Sequence, residues 1–275
     1  MTISTFDQFI GSAKQYLSIA KTASRTAVAT GWFTVFDLAG NPGAGTLAGT
    51  STAAGVVPTD ATAGFPAIDA FQAGGGIVGY LAQVDFGNSV ACRMKIFDMV
   101  FKAGAYAFTA GTTSLSAQPS YVSRMPGGSY GDTQIWIEVS TAFTAGTAWQ
   151  VQVTYTNQAG TTGRTSIALP ATAAAGLTLG RMYQLGLQAG DTGVQKIDSV
   201  IVTNGGTAMT AGAVNVLVLR PLWSGRCRIA NDGDVHDLAK TAMPVVFADS
   251  ALYLAVAADS TATGIPELEM VIANG

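Results

Sequence analysis

The chain has 275 residues, of which 48% are hydrophobic and only 11% are charged, and 14 basic against 17 acidic residues give a net charge of -3. Soluble domains usually carry about 25% charged residues. High hydrophobicity with low charge excludes a disordered chain, and the lack of a basic excess excludes nucleic-acid binding through bulk charge. The shortage of charge predicts that a membrane or other protein subunits cover part of the surface.

Other subunits explain the low charge better than a membrane does. No stretch of about 18 residues is apolar and uncharged enough to predict a membrane-spanning helix. Asp7, Lys14 and Lys21 interrupt any apolar segment of a signal peptide. Cys92 and Cys227 are too few for a disulfide scaffold or a thiolate zinc site. We expect two free, buried thiols in a protein that is made in a cytosol.

The first 27 residues are predicted to form an N-terminal helical arm. A stripe of apolar residues has helical spacing, and it comprises Phe6, Ile10, Ala13, Leu17 and Ala20. Thr5 and Gln8 match a capping box at the start of the helix. Deleting residues 1–25 is therefore expected to leave a folded β-body and to weaken assembly.

From residue 26 onward the sequence alternates with the period of β-strands. Residues 149–156 place apolar side chains on one face and Gln or Thr on the other. Eleven strands are predicted, at 29–38, 77–86, 92–102, 134–143, 148–156, 164–169, 182–188, 194–202, 214–222, 245–257 and 267–272. So many strands beside one firm helix predict an all-β fold, an antiparallel β-sandwich or jelly roll with one or two lobes.

Residues 39–76 consist almost entirely of Gly, Ala, Thr, Ser and Pro, with two charges, Asp60 and Asp69. Such a segment cannot build a core, and it is long for a structureless loop. A flexible linker is one interpretation. We favour an extended arm that lies on another surface, because small residues allow close approach of backbones. Its expected anchors are Leu47, Val56, Val57, Phe65, Ile68 and Phe71. With Phe6, Ile10 and Leu17 of the helix, they are the candidate interface residues.

The predicted domain organisation follows these changes of pattern. The helical arm covers residues 1–27. A first β region with the extended arm covers residues 28–130, and a second β-sandwich region covers residues 131–275.

The search for chemistry predicts no enzyme, no cofactor and no metal site. Gly127–Gly131 matches the G-x-S-x-G pattern around a nucleophilic serine, and His236 lies downstream. The pattern stands in a turn before a strand, however, whereas a nucleophile elbow follows a strand and opens a helix. An extended backbone would place Asp232, Asp234 and His236 on one face for a cation. The simpler interpretation is that Asp234 caps a short helix.

Two further groups of residues leave alternatives open. Arg220, Arg226 and Arg228 are interpreted either as a grip on a partner's carboxylates or as a solvated strand face. Tyr121 and Tyr130 suggest exposed aromatic side chains. Such residues serve either as interface contacts, which we favour, or as a sugar-binding platform.

Several passages of the second half resemble virion structural proteins of tailed bacteriophages. They are residues 136–142, 151–157, 196–200 and 216–222, and the likeness is one of style over the whole chain. The resemblance implies an enzymatically silent, homo-oligomeric capsid cement or decoration protein on the capsid surface of the virion, assembled in the host cytoplasm. It implies the major capsid protein and other virion proteins as partners, with no direct nucleic-acid contact and no membrane. The alternative is a tail or fibre-associated module that binds host-surface carbohydrate.

Overall fold

The computed structural model describes residue 3 and residues 5–69, 78–108, 111–143, 149–170, 177–204 and 211–275. About half of the chain is strand and the sheets are antiparallel, so the predicted all-β fold is confirmed. Within these ranges the α-helices are α1 (Phe6–Gly11) and α2 (Leu238–Thr241). The strands are β1 (Lys14–Lys21), β2 (Trp32–Thr34), β3 (Gly40–Asn41), β4 (Gly79–Asn88), β5 (Cys92–Ala107), β6 (Gly111–Ser114), β7 (Gln134–Thr141), β8 (Trp149–Asn157), β9 (Arg164–Thr165), β10 (Leu169–Pro170), β11 (Arg181–Leu185), β12 (Val194–Asn204), β13 (Ala213–Cys227), β14 (Asp232–His236), β15 (Val245–Val246), β16 (Leu252–Ala258) and β17 (Pro266–Asn274).

The chain folds into two compact units that are not continuous in sequence. The first unit comprises Met1–Thr46, Thr59–Asp98 and Leu222–Gly275, and the second comprises Leu47–Pro58 and Met99–Pro221. The long strands β5 and β13 each contribute residues to both units. The units therefore follow a different division of the chain from the sequence-based regions, which end at residues 27 and 130.

The first unit is built on a six-stranded sheet in the order β14-β4-β17-β1-β3, with β15 also paired to β4. Strand β16 pairs with β2 and with the beginning of β5. Alternate residues of these strands point into one core, as the period of two requires. That core includes Leu17, Phe86, Met94, Leu254 and Met270.

The second unit has its own core between two sets of strands. One sheet has the order β10-β8-β12-β6, with β9 paired to β8. In the other set, β7 pairs with β11 and with the beginning of β13. Val153 of β8 and Val200 of β12 lie in one cluster with Ile137 of β7 and Val216 of β13.

The predicted N-terminal helix, which follows a stripe from Phe6 to Ala20, is more than twice as long as the helix in the structure. Helix α1 ends at Gly11, and Ser12 is already extended. Leu17 and Ala20 belong to β1, which pairs with β17 along seven residues. The segment after Gly11 satisfies both periods, because Leu17 and Ile19 alternate with Ser18 and Ala20. The segment forms a strand because it pairs with β17 and because Leu17 and Ile19 are then buried.

Residues 40–69 of the predicted arm lie on the chain's own two units. Within the first unit, a Cβ on Gly45 would meet the ring of Phe36 at 2.2 Å. Within the second unit, a Cβ on Gly49 would meet the backbone nitrogen of Ala105 at 1.7 Å. The small residues are thus required because the backbone lies directly against other groups.

Both cysteines are free and buried, as predicted. Burial raises the pKa of the Cys92 thiol and raises that of Cys227 to about 12. Both side chains belong to the core of the first unit, so they serve packing rather than thiol chemistry.

Candidate functional site

Helix α1 is short, but its ends are well satisfied. The capping box predicted from Thr5 and Gln8 is present. Gln8 N–H donates to Thr5 Oγ1 at 3.2 Å, and Thr5 N–H donates to Gln8 Oε1 at 3.1 Å. At the other end, Lys14 Nζ donates to the carbonyl oxygens of Phe9, Ile10 and Ser12 at 2.9, 3.2 and 3.0 Å. These bonds satisfy orphan backbone groups that a helix of this length leaves open.

The helix buries none of its residues against the chain. The exposed fractions are 65% for Phe6 and 60% for Ile10, and Tyr16 at the start of β1 is 73% exposed. Isolated exposed apolar residues are ordinary. These three, however, lie within eleven residues of one another, on a segment whose backbone is fixed by hydrogen bonds. Residues 5–16 are called the N-terminal contact segment below. Its exposed side chains are available to another molecule.

The remaining interface candidates divide by burial. Leu17, Leu47, Phe65 and Ile68 are buried within the chain itself, with exposed fractions of 5–6%. Val57 is partly buried against the core of the second unit. Val56 is 37% exposed, although its backbone bridges to Lys102. Phe71 lies outside the described residues. Of these candidates, only Phe6 and Ile10 remain proposed contacts of a partner, and Tyr16 joins them.

Tyr16 escaped the sequence analysis because a helical pattern was assigned to its position. A strand assignment would have placed Tyr16 and Ser18 on the face opposite Leu17 and Ile19. The signal was therefore present in the sequence, but it required the correct period.

The serine motif lies in a turn, as predicted. Pro126–Gly128 forms a 3-10 turn, and Ser129 is extended immediately after it. His236 is held elsewhere, since Trp223 Nε1 donates to its Nδ1 at 3.0 Å. Ser129 thus lies in a surface turn. The imidazole of His236 packs edge-on against Phe86 and Trp223.

The segment around His236 forms strand β14, and the predicted cap at Asp234 is wrong. Asp237 caps α2 instead, because its carboxylate accepts from the backbone N–H groups of Ala239 and Lys240 at 3.2 Å each. Asp234 lies within 3.3 Å of Lys240 Nζ and 3.5 Å of His236 Nε2. Among the residues that the structure describes, no group of three His, Cys, Asp or Glu side chains is placed to hold a metal ion.

The predicted exposure of Tyr121 is wrong. Its side chain is fully buried in the core of the second unit, and its hydroxyl donates to the carbonyl of Val194 at 2.8 Å. Burial raises the pKa of Tyr121 well above its ordinary value. Tyr130 packs edge-on against it with ring centroids 5.6 Å apart. The two rings pack as part of the core of the second unit, so Tyr121 forms neither a sugar platform nor an interface contact.

The three arginines at 220, 226 and 228 do not all belong to the same unit. Arg220 is 5% exposed and belongs to the second unit, where burial lowers its pKa to about 10. Arg226 and Arg228 are exposed and belong to the first unit. They line a pocket of about 590 Å³ with Trp32, Arg93 and Lys95. No sequence pattern singled out Trp32, Arg93 and Lys95, although Arg93 and Lys95 alternate with apolar residues in a predicted strand.

Across the described part of the chain, no helix is long and apolar enough to cross a membrane. No family model matches the sequence, and no curated protein matches it.

Three solved structures show a distant similarity to this chain. The structure of infectious bursal disease virus, Gx strain, shares 12% identity and covers 96% of this chain and 80% of that chain, with a TM-score of 0.20. The VP2 subviral particle of the same virus shares 11%, with the same coverages and a TM-score of 0.23. The STIV MCP shares 7% and covers 66% of this chain and 96% of that chain, with a TM-score of 0.22. TM-scores this low leave the chain unassigned to their families.

Proposed function

We propose that this chain is a structural virion protein, a capsid cement or decoration protein that stabilises a phage head through contacts between subunits. The N-terminal contact segment is the observation that carries the proposal. It presents Phe6, Ile10 and Tyr16 to solvent on a backbone whose hydrogen bonds are satisfied. The partners would be the major capsid protein and further copies of this chain, and no catalysis is involved.

The energetics of such a contact fit a protein that works in many copies. Complete burial of one large apolar side chain contributes about 1.5–3 kcal/mol. Phe6 and Ile10 together would therefore contribute a few kcal/mol, of which association costs consume a part. A capped helix loses less freedom on docking than a disordered tail would lose. Repetition around a shell then multiplies a contact that is weak in one copy.

The composition supports the same proposal. Only 11% of the residues are charged, and the charge that exists is unevenly distributed, because residues 39–59 carry none. A surface with so little charge is better suited to contact with protein than to permanent exposure to water.

The test replaces the two exposed side chains of α1 in the full chain. In the double variant Phe6→Ser/Ile10→Ser, both sites are more than half exposed, so we expect an unchanged thermal unfolding midpoint. We expect at least about ten-fold weaker co-sedimentation with empty heads assembled from the major capsid protein of the same virus, as loss of about 1.4 kcal/mol requires.

The matched control is Ile167→Ser, which changes an isoleucine that is also 65% exposed but lies in the second unit. It should bind empty heads like the wild-type protein. Equal binding by the double variant and the control would contradict the proposal that α1 docks on the shell.

A further inference from the structure

Four of the chain's fourteen basic residues gather around one pocket of the first unit. Arg93 and Lys95 lie on the same face of β5, and their cross-strand partners in β16 are Ala257 and Ala255. These alanines also pair with Trp32 and Thr34 of β2. The small side chains between the strands let both cations reach the indole. Arg93 Cζ lies 5.7 Å and Lys95 Nζ 5.0 Å from the ring centroid of Trp32.

The lining of this basic pocket carries four cationic side chains beside the carboxylate of Asp234. Arg226 and Arg228 add two exposed guanidinium groups, and the one carboxylate in the lining is that of Asp234. Arg226 also lies 3.8 Å from Asp259, at the limit of an ion pair. Burial and the neighbouring charge of Arg93 lower the pKa of Lys95. Cationic side chains that lie this close together repel one another, so an anionic group that binds among them lowers the repulsion. A guanidinium can bind a carboxylate through two parallel hydrogen bonds.

A strip of carboxylates lies on the exposed face of the six-stranded sheet of the same unit. Glu267 and Glu269 alternate with buried residues of β17, and Asp85 of β4 lies directly opposite Glu269. They include two of the chain's three glutamates. Like charges directly opposite each other on antiparallel strands destabilise the pair.

In the described part of the sheet, the cross-strand neighbours of these three carboxylates are not cations. The cross-strand neighbours of Glu269 and Asp85 on this face are Ser18 and Val235, and the partner of Glu267 on β4 is Gly87. Within the described ranges, these three carboxylates form no ion pair and no hydrogen bond. The strip therefore offers exposed acidic groups at fixed spacing to a cationic surface.

We propose that the basic pocket of one copy binds the acidic strip of a second copy of this chain, so that identical subunits join head to tail. A contact between two different surfaces of the same chain is heterologous, and it generates a ring or an open array. The inference deepens the proposed function, since only a protein that works in many copies needs such a contact. The N-terminal contact segment is not part of it.

The experiment reverses each surface in the full chain and measures self-association by sedimentation velocity. The strip variant is Glu267→Lys/Glu269→Lys, and the pocket variant is Arg226→Glu/Arg228→Glu. We expect each variant alone to associate more than about ten-fold more weakly than wild type, because like charges then meet. An equimolar mixture should associate again, because each variant supplies the complement of the other. Lys196→Glu, a reversal in the second unit, serves as the control and should behave as wild type.

Ionic strength gives a second measurement that needs no variant. Wild-type association should be strong at about 0.01 M salt, where the Debye length is about 30 Å, and should weaken greatly at about 1 M, where it is about 3 Å. If reversal disturbs folding, the milder pair Glu267→Gln/Glu269→Gln and Arg226→Gln/Arg228→Gln keeps the comparison interpretable, with circular dichroism as the check.

Three results would overturn the inference. They are a wild-type chain that stays monomeric at low salt, a mixture that fails to restore association, and a pocket reversal that acts while the strip reversal does not. The last would mean that the pocket takes another anion, such as inorganic phosphate. Binding of the Phe6→Ser/Ile10→Ser variant to empty heads is scored separately, so failure of the charged contact is distinguishable from failure of the proposed function.

Discussion

Asp191 shows at the residue scale how the second unit satisfies a buried carboxylate. Its side chain is 2% exposed. It accepts hydrogen bonds from Tyr155 Oη at 2.6 Å, Asn157 Nδ2 at 2.8 Å and Arg164 Nε at 2.9 Å. The bond from Arg164 is the main cause that lowers the pKa of Asp191 to about 2, with further bonds from Tyr155 and Asn157. These hydrogen bonds connect β8 with the turn before β12.

The lowered pKa predicts how stability depends on pH. In the unfolded chain the carboxyl has a pKa near 3.8, so its stabilising effect is fully present above about pH 5 and is lost as pH falls towards 2. Asp191→Asn should weaken this loss of stability. It should cost about 2 kcal/mol of unfolding free energy at pH 7, because the amide has one accepting oxygen where the carboxylate uses two, and the bonds that remain are neutral. Urea unfolding at pH 7 and pH 3 measures both effects.

The control for that experiment is Asp132→Asn, on an exposed turn of the same unit. Equal pH dependence of Asp191→Asn and wild type would show that the network does not couple folding to this carboxyl.

At the scale of elements, close packing explains why the arm is rich in glycine. Gly49 lies against the backbone of Gly104 and Ala105, and these backbone atoms cannot move aside as a flexible side chain could. Asn215 Nδ2 holds the neighbouring backbone by donating to Leu47 O at 2.8 Å and to Glu138 Oε2 at 2.8 Å. The arm is therefore part of the folded second unit at this point.

Gly49→Ala should consequently destabilise the protein, because its Cβ would overlap backbone atoms. Overpacking of this kind costs about 1–3 kcal/mol or more. Gly43→Ala is the matched control, since a Cβ there meets nothing within 4 Å. Differential scanning calorimetry should show a lower midpoint for Gly49→Ala only. Equal midpoints for the two variants would mean that this part of the arm is not packed.

The N-terminal elements show where a sequence period can mislead. Residues 6–20 fit one helical stripe, yet β1 begins at Lys14. The capping box and the start of the helix were predictable, because they depend on neighbouring residues. The end of the helix was not, because pairing of β1 with β17 joins residues about 250 positions apart in the sequence.

At the scale of the whole molecule, this difference changes the predicted effect of truncation. Deleting residues 1–25 removes β1, with Leu17 and Ile19 from the core of the first unit, so we now expect unfolding of that unit. Deleting residues 1–12 removes α1, none of whose residues is buried, and leaves β1 in place. It should change the unfolding free energy by less than about 1 kcal/mol, or about 2–4 °C in midpoint.

Tryptophan fluorescence measures the outcome, since Trp223 lies in the core of the first unit. The longer deletion should shift part of the emission towards that of a solvated indole, because Trp223 loses its core while Trp136 and Trp149 of the second unit stay buried. The shorter deletion should give the emission of the intact chain. A longer deletion with native fluorescence and an unchanged midpoint would show that β1 is dispensable.

The sequence by itself determined the all-β class, the capping box, the buried thiols and, for the described residues 42–69 of the arm, a course without regular strands. These follow from local rules, namely alternation of side chains, turn chemistry and composition. Only the tertiary structure decided that the strands form two discontinuous units, that Leu47 and Phe65 are covered by their own chain, and that Arg226 and Arg228 meet Arg93 and Lys95. The physical reason is that burial and charge clustering depend on which distant strands pair.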